Sequence, residues 1–213
     1  MDEIQSTKSM SWRASWLEKN ASFQKVEVNQ SADPQLVLLR GACLAATARW
    51  AKEMIKDDRR LDEHVVKQLV ATANQHRAAL GLEERPSIFG PKIRQMQAAA
   101  KLTRDRAEVF RRAGITVDHK KRPPSIRRAV IQFARTMLEE GRALFFLSFK
   151  TETSRHVIGL HGNRKDLQFG FFDANIGIYR YGNLTAFANA LEDLLLDYYK
   201  TVSGEVVLLK IRS

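Results

Sequence analysis

Residues 143–181 read ALFFLSFKTETSRHVIGLHGNRKDLQFGFFDANIGIYRY. Four short apolar or aromatic runs stand out in this stretch: Ala143 to Phe149, Arg155 to His161, Leu167 to Asp173 and Ile176 to Tyr181. Polar turns such as His161-Gly162-Asn163-Arg164 separate them. Runs of this length and composition predict β-strands. With Val206 to Ile211 as a fifth, they read as an antiparallel meander. Between the last two lies a predicted helix from about Leu184 to Lys200, with Leu184, Phe187, Leu191, Leu194, Leu195 and Tyr198 as its buried stripe.

Upstream of this stretch the apolar period changes to that of a helix. Leu44, Ala48, Ala51 and Ile55 fall at i, i+4, i+7 and i+11, predicting a helix from about Ala42 to Lys56 that begins just after Gly41. A second is predicted from about Asp62 to Leu80, stopped by Gly81. A third follows Pro91, carries Ile93, Met96, Ala100, Ala107 and Phe110 inward, and is closed by Gly114. After Pro123-Pro124, the stripe Ile126, Val130, Phe133 and Met137 predicts a fourth helix to about Glu140, with Gly141 as its stop. Helices first and strands later predict an α+β fold. At 213 residues, one domain with a terminal extension is expected. Residues 1–34, rich in Ser, Asn and Gln without sustained periodicity, read as a polar tail, and 35–213 as the domain.

The longest apolar stretches fall far short of a bilayer-spanning helix, and the acidic start lacks the apolar core of a secretory signal peptide. The net charge is +11, and residues 92–142 hold most of it, with 14 Lys and Arg against 5 Asp and Glu. Such a block suits a polyanionic partner (nucleic acid, an anionic membrane surface or an acidic protein segment) or simply a solvated helix face. If the helices around Arg94 to Arg112 and Arg127 to Arg135 form one positive face near a cleft, acidic substrates or an anionic membrane surface are expected to be preferred.

A single cysteine excludes an internal disulfide, and the fold therefore does not depend on oxidation. Cys43 sits in a first helical turn, where unpaired backbone N–H groups and the helix dipole favour a thiolate and can bind an oxyanion. The position fits a nucleophile, and equally a small buried apolar side chain. His156, on a strand, can serve as base for the thiol and acid for a leaving group. Asp173 ends the next strand, where a hairpin brings it beside His156 to fix the tautomer, and Asn175, two residues on, is a secondary orienting candidate. His161 lies at an odd offset from His156, on the opposite strand face, so no metal site is expected there. His64 and His76, on a predicted surface helix, and His119, in a basic loop, receive no role.

Gly41-Ala42-Cys43 opening a helix with Trp50 downstream, Arg155-His156-Val157-Ile158-Gly159-Leu160 on a strand, and Phe171-Phe172-Asp173-Ala174-Asn175-Ile176-Gly177 resemble the YopT/AvrPphB family of bacterial type III effector cysteine proteases. The resemblance covers about Leu36 to Ile211, and its most specific piece is the Phe-Asp-x-Asn segment. It implies a papain-like fold, with N-terminal helices packed on a C-terminal antiparallel sheet. It also implies Cys43 as nucleophile, His156 as general base and acid, and Asp173 as the orienter of His156. Papain-like enzymes generally carry a Gln or Asn shortly before the Cys as oxyanion donor, and here the nearest is Gln35, eight residues upstream. Ala174 stands where the family often has Pro, and Met1-Asp2 offers no glycine for myristoylation.

The resemblance further implies an effector carried by a specialised bacterial secretion system into the host cytosol, with the tail as export signal and a host protein as substrate. No cofactor and no metal are implied. A glutamine deamidase or transglutaminase would use the same three residues. A non-enzymatic basic module, with Cys43 merely buried, is the alternative of another class.

Overall fold

The computed structural model describes residues 43–56, 71, 91–103, 105–151, 154–165, 167–200 and 206–212. The predicted tail, all of the helix over 62–80 except Ala71, and Gln35 lie outside the described residues. The elements in chain order are helices α1 (Cys43–Lys56), α2 (Pro91–Thr103) and α3 (Ala107–Ala113), strand β1 (Val117–Lys121), helix α4 (Ile126–Glu140), strands β2 (Arg142–Lys150), β3 (Arg155–Asn163), β4 (Gln168–Asp173) and β5 (Gly177–Tyr181), helix α5 (Leu184–Asp193) and strand β6 (Val207–Ile211).

The described strands make one antiparallel sheet in the order β1-β6-β2-β3-β4-β5. The meander holds from β2 to β5, but β6 does not extend it. Helix α5 carries the chain back across the sheet, and β6 pairs with β2 on its far side. β3 also runs two residues further than expected, to Asn163. Gly162 is therefore a strand residue rather than part of a turn, and the Phe133 ring and Met137 side chain of α4 explain why it is a glycine. A Cβ there would lie 2.9 Å from Phe133 and 3.0 Å from the Met137 sulfur.

Two further expectations are corrected. The single helix from Pro91 to Gly114 is two, because Asp105 Oδ1 accepts the backbone N–H of Ala107 (2.8 Å) and starts α3 afresh. His119 lies in strand β1 rather than a loop. β1 is an edge strand whose last three residues are exposed, so it lacks the apolar alternation that would mark it in the sequence, and its lysines suit an edge kept from pairing with other chains.

Alternation along the strands separates two cores. On one face Leu144, Phe146, Val157, Phe172 and Ile178 pack with α1, α2 and α3. On the other Phe145, Leu147, Ile158, Leu160, Phe171 and Tyr179 pack with α4 and α5. Helices thus cover both faces of the sheet rather than one. The basic helices are divided in the same way, with α3 on one face and α4 on the other. Arg111 and Arg112 are moreover paired with Glu108, and Arg135 with Glu139. Among the described residues, α3 and α4 therefore do not share one face of the sheet.

Helix α4 is capped by Ser125, whose Oγ accepts the Arg128 N–H (3.2 Å), and α5 by Asn183, whose Oδ1 accepts the Ala186 N–H (2.8 Å). No described helix is long and apolar enough to cross a membrane.

Candidate active site

β3 outruns β4. Their pairing begins only at Gly159, opposite Phe172, which leaves residues 155–158 of β3 without a strand partner on that side among the described residues. Helix α1 takes the vacated lane. Thr47 Oγ1 donates to the Val157 carbonyl oxygen (3.4 Å), and the Val157 backbone also hydrogen-bonds the Cys43 sulfur. An antiparallel strand directs the N–H and C=O of one residue to the same side, so one residue of β3 anchors both the thiol and the helix that carries it.

The thiol comes from one layer and its partners from the other. His156 and Asp173 lie on the α4/α5 face, and the open stretch of β3 is where the layers meet. His156 is opposite Phe149 in the β2–β3 pairing, and their rings meet edge to face at 5.6 Å. Its Nε2 lies 2.9 Å from Asp173 Oδ1, which leaves Nδ1 for the hydrogen bond with Cys43. His156 is buried and Asp173 wholly so, while Cys43 is half-buried.

Asp173 is held by the tight turn that follows it. Asn175 N–H donates to Asp173 Oδ1 (2.8 Å), the Ile176 N–H reaches the Asp173 carbonyl (3.3 Å), and Gly177 closes the turn at a φ of 111°, a conformation open to glycine and strained for other residues. This is the physical content of the Asp-Ala-Asn-Ile-Gly segment. The Asn175 amide donates to the hydroxyl of Tyr199 (3.0 Å).

Tyr199 was not foreseen from the sequence. Its hydroxyl donates to Asp173 Oδ2 (2.6 Å) and lies 3.1 Å from His156 Nε2. The helical stripe points to Tyr198 instead. After α5, residues Leu194–Tyr198 form a π-turn, in which the Tyr199 N–H reaches back five residues to the Leu194 carbonyl (3.0 Å). One extra residue in the turn advances the phase, and Tyr199 becomes the tyrosine beside the histidine.

His161 is buried on the α1 face, away from His156, as the odd spacing predicts. Among the described residues no group of three or more His, Cys, Asp or Glu side chains is arranged to hold a metal ion.

The charges follow from the contacts. Burial alone would disfavour the imidazolium, but the carboxylate of Asp173 and the sulfur of Cys43 outweigh it and push His156 up to about 10. Burial likewise opposes the Cys43 thiolate and Asp173 adds to that, yet the His156 charge, its hydrogen bond and the Val157 bond hold the thiol below its ordinary range. The sign is that of a thiolate–imidazolium pair. Acid protonates the thiolate and alkali discharges the imidazolium, so the pair exists in the window between. Iodoacetamide is therefore expected to alkylate Cys43 in the native protein well below pH ~8.5, the ordinary thiol range. In His156→Ala only burial, Asp173 and the Val157 bond remain, so the alkylation midpoint should rise past that range. Equal profiles for the two proteins would refute the pairing.

No family model matches this chain, and neither does any curated protein. Among solved structures, one match is PatoxP, the cysteine protease-like domain of the Photorhabdus asymbiotica toxin PaTox, at a TM-score of 0.53 and 11% identity. The match covers 98% of this chain and 60% of that one. The chain has a papain-like cysteine protease fold. AvrPphB, an avirulence protein of Pseudomonas, matches at a TM-score of 0.43 and 15% identity over 82% of this chain and 93% of its own. In this fold α1, which carries Cys43, packs against the sheet whose strands β3 and β4 carry His156 and Asp173. Gln35, the sequence candidate for an oxyanion donor, lies outside the described residues, and within the described residues Cys43, which opens α1, offers its own backbone N–H.

Proposed function

We propose that this chain is a cysteine peptidase, with Cys43 as nucleophile, His156 as general base and acid, and Asp173 as the residue that orients His156. The observation that carries the reading is the polar path from the Cys43 sulfur through His156 to Asp173 Oδ1, in which the buried imidazole is partnered on both sides. A cysteine that merely fills space needs neither a buried imidazole nor a backbone donor at its sulfur. The pairing thus favours catalysis over a basic binding module.

In this reading the Cys43 thiolate attacks the scissile carbonyl carbon, and the oxyanion that forms is met by backbone N–H groups at the start of α1. The His156 imidazolium gives its proton to the leaving amine as the C–N bond breaks, leaving a thioester on Cys43. Water then attacks the thioester, His156 takes a proton from it, and the carboxylic acid departs as the thiolate is restored. The Asp173 carboxylate keeps the ring aligned through both steps without itself taking the proton.

The proposed setting is a bacterial effector delivered by a specialised secretion system into the host cytosol, where a host protein is the substrate. It is supported by the likeness of fold to a domain of a toxin. With the arginines divided between the two faces of the sheet, recognition of an anionic membrane surface or an acidic segment would fall to one face at a time.

The test is incubation with host-cell protein, followed by mass spectrometry for new termini, with Cys43→Ala alongside. New termini that require Cys43 support a peptidase. Glutamine-to-glutamate changes or new isopeptide links without new termini would replace it with a deamidase or transglutaminase. No Cys43-dependent change of any kind would sink the enzymatic reading.

A further inference from the structure

We infer that Tyr199 is a positioning residue of this site: its hydroxyl locks the Asp173 carboxylate in line with His156 Nε2, and its ring shields that contact from water. The inference rests on the peptidase reading above and adds a fourth side chain to it.

The hydrogen-bond accounting leaves one arrangement. Asn175 Nδ2 donates to the Tyr199 oxygen (3.0 Å), and His156 Nε2 spends its proton on Asp173 Oδ1 (2.9 Å). The single Tyr199 proton therefore goes to Asp173 Oδ2, at 2.6 Å, the short distance expected of a hydroxyl bound to a charged oxygen. Burial, and then the Asp173 charge, hold the phenol well above its ordinary range, so it stays a donor at every working pH. The carboxylate accepts on both oxygens: Oδ1 from His156 and the Asn175 N–H, and Oδ2 from Tyr199. Tied at both oxygens, it is held against rotation about its Cβ–Cγ bond, and the imidazole it orients has one direction for Nδ1.

The ring has a separate effect. It stacks on the His156 imidazole at 4.8 Å and 29°, and meets Phe149 at 5.1 Å, so the imidazole packs against two aromatic side chains that also touch each other. In those low-dielectric surroundings the His156–Asp173 attraction is strong.

If Tyr199 only filled space, phenylalanine would replace it without consequence. The experiment compares wild type, Tyr199→Phe and Asn175→Ala, using the NMR titration of the His156 imidazole nitrogens together with kcat and KM on a cleaved peptide. In Tyr199→Phe the ring stack is retained and the Oδ2 donor lost. The carboxylate charge, no longer shared with the phenol, then bears on the imidazolium, and the His156 titration should move to higher pH. The loosened carboxylate should lower kcat about tenfold, the loss expected of one hydrogen bond to a charged group, with KM unchanged. Asn175→Ala keeps its backbone bond to Oδ1 and should shift both readings the same way by less.

An identical His156 titration in wild type and Tyr199→Phe overturns the positioning role, and it does so whether or not the protein cleaves peptides, because that reading needs no turnover. Should Tyr199→Phe fail to fold, an unshifted titration in Asn175→Ala overturns it instead. Failure of the peptidase reading looks different, as a wild-type Cys43 that resists iodoacetamide at neutral pH.

Discussion

Cys43→Ala and His156→Ala are each expected to lower turnover by about 10⁵- to 10⁶-fold, with the double variant scarcely worse than either, because residues that act as one unit lose their whole contribution when any essential member goes. Asp173→Ala should cost less, about 10⁴-fold, as is usual for the member that orients rather than reacts. Its cost in stability should be the larger of the three. The Asp173 side chain is fully buried and accepts from His156, Asn175 and Tyr199, and all three donors would be left facing a cavity. The check is kcat/KM for each variant alongside its denaturant midpoint. Full activity in His156→Ala would remove His156 from the mechanism, and an Asn175 variant worse than the Asp173 one would transfer the orienting role.

Gly159→Ala is expected to be the most damaging single methyl in the described structure. A Cβ at Gly159 would lie 2.1 Å from Trp50 Cζ3, 2.6 Å from Cε3 and 2.9 Å from Cη2. The Trp50 ring has nowhere to turn. It is completely buried and stacked on Phe172, with centroids 5.5 Å apart and planes 16° apart. The strain must then move α1 itself, and Cys43 sits two turns from Trp50 on that helix, roughly 10 Å along its axis. Overpacking of this severity is expected to cost about 3 kcal/mol. It should also draw the Cys43 sulfur off His156 and Val157, so the alkylation profile of the native protein shifts toward that of an ordinary buried thiol. Adding Trp50→Leu should recover part of the thiol profile while opening a cavity of its own, and the coupling between the two positions is the quantity to measure. A Gly159→Ala protein with wild-type midpoint and wild-type thiol reactivity would show that α1 does not rest on this strand as described.

The residues of the candidate site were legible as candidates because they sit at or near the ends of strongly patterned elements. Cys43 stands at the start of a clearly amphipathic helix, His156 is the second residue of a strand, and Asp173 ends the next one at a turn that requires Gly177. Each is placed by local chemistry, and adjacency of β3 and β4 needs only a short connection. Helix α4 was legible for the same reason, with its apolar stripe running from Ile126 to Met137 and Gly141 at its end. Where the local signal is weak, the reading failed. β1 is a polar edge strand without alternation, and the break between α2 and α3 depends on one aspartate side chain turning back on its own backbone.

Periods of two and 3.6, with turn residues a few positions away, set helix α4, strands β2 to β5 and the strand faces that separate His156 from His161, while the order of Cys, His and Asp is that of the chain itself. Tertiary structure alone decided that β6 returns to the far side of β2, that helices cover both faces and divide the arginines between them, and that α1 enters the lane β4 vacates to set the thiol on Val157. It also decided that the tyrosine beside His156 is Tyr199 rather than Tyr198. These depend on contacts between segments far apart in the chain, where the burial of whole faces selects a partner, and on one extra residue in a helical turn whose phase is set by what it packs against.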